Sequence, residues 1–302
     1  MNECGTTTDT LPLNIVKNAH RYLPNGSGRL DLITNELSET IEYRKKGRKI
    51  HQRTITLSPS FTRKENDNKK KEVIYRESEL IQIMYVHGLC ANSSQFNSVI
   101  DAIGNQLLHE NNDDKDIKRN MIGIQNTLFD ALGFGKSYHD PLDYNAYSEE
   151  ESMQDLKSIY QSIASKGCPT YIISHSYGVS QVLKLMSDLS SSSDKSLLDN
   201  LSGVIFISGG LIGNTSTCAN ICNGGSALFR LPIFALKLLQ PELTAKFVQQ
   251  AYHPSSSTTL KDCSWDHCVN SNMNIVKAYH RQTNWSTKYD AALVMVSVYV
   301  CF

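Results

Sequence analysis

The sequence predicts an α/β fold, a mostly parallel sheet with helices on both faces and a helical lid over one end. Three observations carry this. Strand-like stretches recur at 80–86, 121–129, 171–173 and 204–207, the first a nearly continuous apolar run of the kind buried on both faces. Helix-spaced stretches separate them, which is the alternation of a parallel sheet. Each run also ends in a turn built for close contact: His87-Gly88-Leu89-Cys90, Asp130-Ala131-Leu132-Gly133-Phe134-Gly135, Ser174-His175-Ser176-Tyr177-Gly178 and Ser208-Gly209-Gly210. Sites in open α/β sheets lie at those carboxyl ends.

In chain order, residues 1–34 are polar, broken by Pro12, Pro24 and the 25–28 turn, and are expected to be loosely ordered. A domain spanning 35–302 follows. It opens with strands at 36–43 and 50–57, the second alternating through Thr54-Ile55-Thr56-Leu57. The charge runs 44–49 and 63–72 read as a solvated turn and a solvated insertion, with weak contact to anionic lipid as the lesser reading. After the 80–86 strand, Phe96, Val99, Ile100, Ile103 and Leu107 line one helix face, and 111–118 is a charged loop. Ser148 caps a helix whose first turn carries Glu149, Glu150 and Glu151 and which stops near 164, with Gly167 just beyond it. The 171–173 strand leads into a helix ending near 189.

Beyond 204–207 the rhythm breaks. Residues 211–288 read as a helical lid, with helices at 227–239 and 241–252 and Pro241 at the first position of the second. The apolar lid residues Leu228, Leu231, Ile233, Phe234, Leu236, Leu238 and Leu239 fit either an acyl pocket or ordinary packing on the core. Residues 289–302, rich in Val and Ala, begin a further strand with no room to finish the unit.

Composition excludes several classes. Thirty basic and thirty acidic residues leave no net charge to attract nucleic acid or an anionic membrane. Eight cysteines in 302 residues are too sparse for a disulfide scaffold. Cys218-x-x-x-Cys222 and Cys263-x-x-x-His267-Cys268 lack tight zinc spacing and read as free thiols, Cys90 as a small buried side chain. No apolar run approaches the roughly 20 residues of a membrane span, and no secretory h-region follows the polar start. The expectation is an intracellular protein, cytoplasmic or at a mitochondrial or lipid surface, with neither cofactor nor metal.

Chemistry concentrates at residues 171–180. A strand turning sharply into a helix, with a serine at the apex and small residues on both sides, is a nucleophile elbow. The small neighbours let the helix pass close to the strand and hold the hydroxyl out beyond the sheet. Ser174 takes the seat usually held by the first glycine of Gly-x-Ser-x-Gly, which makes Ser176 the nucleophile position.

Taken together, His87-Gly88, Asp130-x-x-Gly133-x-Gly135-x-Ser137, Ser174-His175-Ser176-Tyr177-Gly178 and Gly209-Gly210 resemble the α/β-hydrolase superfamily over residues 80–302. The elbow wording and Ile207-Ser208-Gly209-Gly210 look most like the abhydrolase domain-containing protein 8 subgroup. The resemblance implies that Ser176 accepts the acyl group while the backbone N–H groups of Leu89 and Tyr177 form the oxyanion hole. One such donor is worth about 3 kcal/mol. Gly88 would let the loop approach the substrate, Gly133 and Gly135 would shape the neighbouring loop, and Asp130 would fix that loop. His87 and His175 would be structural.

In this superfamily the acid follows the strand after the lid and the histidine follows the last strand, so neither position matches a residue here. The chain reads as truncated at the C-terminus, with activity impaired or absent. Loss of the histidine in a triad enzyme costs on the order of 10⁶ in turnover. Among the lid histidines, His253, His267 or His280 would have to come within about 3 Å of Ser176 to replace it. The reading is a serine hydrolase of carboxylic esters, lipid esters given the apolar lid, with a small-molecule ester or lipid as its partner and peripheral lipid contact. The alternatives are a non-catalytic lipid- or partner-binding protein and a lysophospholipid acyltransferase.

Overall fold

The computed structural model describes residues 20–22, 28–44, 48–63, 80–109, 122–137, 143–207, 228–282 and 298–301. The strands are β1 (His20–Tyr22), β2 (Gly28–Arg44), β3 (Arg48–Arg63), β4 (Leu80–Val86), β5 (Gly123–Asp130), β6 (Thr170–His175), β7 (Leu201–Ile207) and β8 (Val298–Cys301). The helices are α1 (Asn97–His109), α2 (Glu149–Ala164), α3 (Tyr177–Ser191), α4 (Ile233–Ala251), α5 (Thr258–Asn270) and α6 (Met273–Gln282).

All eight strands form one sheet in the order β1-β2-β3-β5-β4-β6-β7-β8. β1, β2, β3 and β5 pair antiparallel in succession, while β5, β4, β6, β7 and β8 run parallel. The expected parallel core is therefore present, and 289–302 does contribute a strand, with Val204 opposite Val298 and Ile207 opposite Cys301.

Alternation along β4, apolar except for the buried Gln82, sends successive side chains into two cores. Met84 and Val86 join a core cluster with Tyr160, Val182 and Phe206 under α2 and α3. Ile83 and Tyr85 face the opposite cluster, with Leu57, Phe96 and Ile100 under α1. A strand buried on both faces cannot alternate polar with apolar residues.

α2 illustrates how the sequence ends and orients an element. Ser148 Oγ accepts the Glu151 N–H at 3.2 Å, and three glutamates occupy the first turn beside the positive end of the helix dipole. Met153, Leu156, Ile159, Tyr160 and Ile163 are buried along one face, each worth about 1.5–3 kcal/mol. Gly167, at φ 73°, follows the last turn.

Four expectations need correction. First, residues 20–22 and 28–34 lie in strands rather than in loose chain, because β2 pairs with β3 along its whole length, from Gly28–Arg63 to Arg44–Arg48. Second, the charge run 44–49 is not all solvated. Arg48 is buried, and its Nε donates to Asp155 Oδ1 at 3.0 Å and Oδ2 at 3.2 Å, tying the hairpin to α2. Third, Pro241 does not start a second lid helix but lies inside α4. Proline removes one ladder hydrogen bond, yet Leu236, Gln240 and Thr244 are buried at helical spacing on both sides of it and keep the helix continuous. Fourth, the lid apolar residues do not act together: Leu236 is buried, whereas Phe234 and Leu238 are 72% and 82% exposed. Gly209-Gly210, Cys218, Cys222, residues 64–72 and the whole 111–118 run lie outside the described residues.

The cap is also bound into the core. Ile275 and Tyr279 of α6 are buried, and the Tyr279 hydroxyl donates to Leu132 O at 3.0 Å. Among the described residues, no helix is long and apolar enough to cross a membrane.

Candidate active site

Three loops meet at the carboxyl ends of β4, β5 and β6, and together they hold every site residue expected from the sequence. The elbow is the most constrained. Ser176, between β6 and α3, sits at φ 51°, ψ −118°, a conformation L-residues rarely adopt. Its backbone is held from both directions: its N–H donates to Ile207 O at 3.0 Å, and its carbonyl accepts the Val179 N–H at 3.0 Å. Ser176 is half-buried. Among the described residues no hydrogen bond reaches its Oγ.

Gly178 shows why the elbow needs small residues. A Cβ there would lie 2.5 Å from Val86 O and 2.9 Å from His87 O, so α3 begins directly against the end of β4. Ser174, in the first small-residue seat, is wholly buried, and among the described residues its hydroxyl has no hydrogen-bond partner. That orphaned group is the cost of serine where glycine would leave nothing to satisfy.

The β4 loop lies beside the elbow. A Cβ on Gly88 would stand 3.2 Å from the Ser176 Cβ and 3.0 Å from His175 Nδ1. The loop then reverses: Ala91 N–H donates to Gly88 O at 3.2 Å, and Cys90 takes φ 62°. Among the described residues the Leu89 N–H makes no backbone hydrogen bond. Tyr177 is buried at the first turn of α3, its ring edge-on to Tyr279 at 5.9 Å.

Both elbow-adjacent histidines are engaged in holding loops. His87 Nδ1 donates to Gly88 O at 2.7 Å, and its Nε2 accepts the Ala131 N–H at 2.9 Å. The two contacts fix one tautomer and join the β4 and β5 loops. His175 Nδ1 accepts from Gln95 Nε2 at 2.8 Å, while Gln95 Oε1 accepts the Gly88 N–H at 3.2 Å. Burial pushes both imidazoles below their ordinary pKa, and a charge on His87 would add to the cost of protonating His175. Gln95 was not foreseen: nothing about a lone glutamine in Asn-Ser-Ser-Gln-Phe marks it as a bridge between two loops.

Asp130 organises the third loop. Its Oδ1 accepts the Ser93 N–H at 2.7 Å and its Oδ2 the Lys136 N–H at 2.8 Å. Gly135, at φ 52°, is required here, since a Cβ would fall 2.3 Å from Asp130 Oδ2. Gly133, at φ 81°, lies under Ile275.

The lid histidines fall in separate places. His267 Nε2 accepts from Asn92 Nδ2 at 3.3 Å, just beyond the β4 loop. His280 stacks on Phe229 at 4.2 Å. His253 Nδ1 accepts the Ser255 N–H at 3.2 Å in an exposed turn. None of the three hydrogen-bonds to Ser176. Among the described residues, no group of three or more His, Cys, Asp or Glu side chains could hold a metal ion.

No protein-family model matches this chain, and no curated protein matches it either. Solved structures do. An esterase from Exiguobacterium antarcticum superposes at TM-score 0.57 and 16% identity, covering 87% of this chain and 79% of its own. The epoxide hydrolase CorEH gives TM-score 0.53 at 11% identity, covering 88% of this chain and 82% of its own. Potato (Solanum tuberosum) epoxide hydrolase I gives TM-score 0.53 at 10% identity, covering 88% and 81%. The fold they share with this chain is the α/β-hydrolase fold.

Proposed function

We propose that the chain is a serine hydrolase acting on carboxylic esters, with Ser176 as nucleophile. The observation that carries the reading is the strained Ser176 backbone at the strand-to-helix turn, with Gly178 required by close approach and Gly88 tight against Ser176 and His175. Strain of this kind persists only where surrounding structure imposes it, and it gathers at functional sites. In the reaction Ser176 Oγ would add to the ester carbonyl, and the oxyanion would be received by the N–H groups of Leu89 and Tyr177. His87, Gly88, Asp130, Gly133 and Gly135 would position those donors. The exposed Phe234 and Leu238 of α4 are the basis for lipid esters as substrates, and the elbow wording supports the abhydrolase domain-containing protein 8 subgroup.

Serine needs a proton acceptor to attack at neutral pH. The test is therefore direct: fluorophosphonate labelling of the 302-residue chain, with Ser176→Ala as control and p-nitrophenyl esters of graded chain length as substrates. Labelling lost in the variant supports the proposal. A folded chain that neither labels nor hydrolyses any ester refutes it as an enzyme.

The exposed Phe234, Leu238 and Phe247 of α4 favour a second reading, a non-catalytic protein that binds lipid or a partner through the cap. Flotation with phosphatidylcholine vesicles that is lost in Phe234→Ser/Leu238→Ser and kept in Ser176→Ala would distinguish it.

A further inference from the structure

One side chain joins the loop after β4 to the elbow, and the groups on either side of it fix its orientation. Gln95 Oε1 accepts the Gly88 N–H at 3.2 Å, and Gln95 Nε2 meets His175 Nδ1 at 2.8 Å. A backbone N–H can only donate, so the amide must turn its oxygen to Gly88 and its nitrogen to His175. His175 Nδ1 therefore accepts, and the ring carries its proton on Nε2. The glutamine is itself anchored. It lies in a single 3₁₀ turn, Ser93–Phe96, where the Ser93 N–H donates to Asp130 Oδ1 at 2.7 Å and the Gln95 N–H to Asn92 O at 3.1 Å. Phe96 is buried, its ring centroid 5.0 Å from that of Tyr85. On the other side, His175 ends β6 opposite Ile207, immediately before Ser176.

On the serine-hydrolase reading, on which this rests, we propose that Gln95 is a positioning residue that sets the separation of the two oxyanion donors by clamping the Gly88 backbone to the elbow. The donors, the N–H groups of Leu89 and Tyr177, belong to different loops, so neither loop alone defines the hole. The Gly88 carbonyl is held by His87 Nδ1 at 2.7 Å and by the Ala91 N–H at 3.2 Å. In a trans peptide the following N–H points the opposite way, so these bonds aim the Leu89 N–H. Gln95 adds a bond from the same glycine to the strand end that carries Ser176 and Tyr177.

The clamp also answers to pH. A second proton on His175 would set Nδ1–H against the Gln95 NH₂, two donors face to face, and the amide could keep only one of its two bonds. Burial, and any charge on His87, hold His175 below its ordinary value of 6.5. His87 in turn faces Asp130 and His267. The clamp is thus intact at neutral pH and opens only as pH falls below 6.5. Gln95→Glu would keep it closed in acid, because one carboxylate oxygen accepts the Gly88 N–H and the other the charged His175.

The experiment compares the parent chain with Gln95→Ala and Gln95→Glu between about pH 5 and 8, by fluorophosphonate labelling rate and hydrolysis of p-nitrophenyl butyrate. At the alkaline end Gln95→Ala should label about 10²-fold more slowly, the loss falling on kcat with KM nearly unchanged, since the donors engage charge that develops only in the transition state. The base that activates Ser176 titrates in every chain and cancels in the ratio of parent to Gln95→Ala. That ratio should shrink towards one in acid, where Gln95→Glu should overtake the parent. Imidazole nitrogen NMR, assigned with His175→Asn, should find the His175 proton on Nε2 at the alkaline end. Equal rates for parent and Gln95→Ala, a ratio that does not change with pH, or a proton on His175 Nδ1 overturns this proposal alone. A parent that neither labels nor hydrolyses overturns it together with the hydrolase reading. If Gln95→Ala does not fold, the Gln95→Glu profile decides: no gain over the parent in acid overturns the clamp.

Discussion

Gly178→Ala tests the elbow at its tightest point. The new Cβ would lie 2.5 Å from Val86 O, whereas ordinary contacts begin at 3.4 Å, so one partner must move by about 1 Å. β4 cannot give way, because it is hydrogen-bonded to β5 on one side and β6 on the other. The N-terminus of α3 must therefore retreat, and Val179, Val182 and Leu183, all buried, retreat with it. Overpacking of this kind costs about 1–3 kcal/mol, and the upper end is expected where backbone meets backbone. With a slope near 3 kcal/mol per molar urea, the midpoint should fall by roughly 1 M. Urea denaturation followed by tryptophan fluorescence and circular dichroism measures the shift. If Ser176 labels in the parent, its labelling rate should also fall by about 10²-fold, because a misplacement of ~1 Å is enough to spoil the geometry. Gly88→Ala is the comparison, since its Cβ meets side chains at 3.0 and 3.2 Å and should cost less. A Gly178→Ala chain with an unchanged urea midpoint would refute the close approach of α3 to β4.

Three further outcomes are expected. Arg48→Met leaves the buried Asp155 carboxylate without its guanidinium and should cost about 3–5 kcal/mol, whereas Arg48→Met/Asp155→Leu should recover much of that; a double variant no better than the single one in urea denaturation would contradict the pairing. Asp130→Ala removes the acceptor of two backbone N–H groups and should cost about 2–5 kcal/mol, with Asp130→Asn losing less; equal midpoints for all three chains would show that the carboxylate does not hold the loop. Burial holds His51, His87, His175, His267 and His280 below their ordinary value of 6.5. Unfolding lets them take up protons, so stability should be level above about pH 6.5 and decline as pH falls below it; a denaturation midpoint constant from pH 7 to 5 would contradict this.

The parallel core and the elbow were legible because their constraints act within a few residues. Tyr171-Ile172-Ile173 must be apolar in a strand buried on both faces, and Gly178 must be small for a reason its neighbours already declare. The long β2–β3 hairpin was read too short. Its flank from 28 to 35 follows directly on the 25–28 turn, and the buried Leu32 reads as part of that loose stretch rather than as strand. Arg48 inside a basic run gave no sign of burial, since its partner Asp155 lies on a helix more than a hundred residues on. Gln95 shares that difficulty: its contacts join loops that are brought together only by strand order. Pro241 misled because a local rule about helix starts was outweighed by buried positions on both sides of it.

The hairpin has a consequence for how the molecule opens. β2 and β3 pair over sixteen register positions, yet only His51 to Leu57 of β3 are joined to β5. Beyond that seam one end of the hairpin pairs only with the short β1, and the other is held to α2 through Arg48, so the margin joins the sheet itself through a single short stretch of ladder. In amide hydrogen exchange its tips should lose protection first, at a small fraction of the global free energy. The seam should follow, and β4 and β6, enclosed by parallel neighbours, should be last. A chain read outward in this way would shed its antiparallel margin while the strand ends around Ser176 stayed closed.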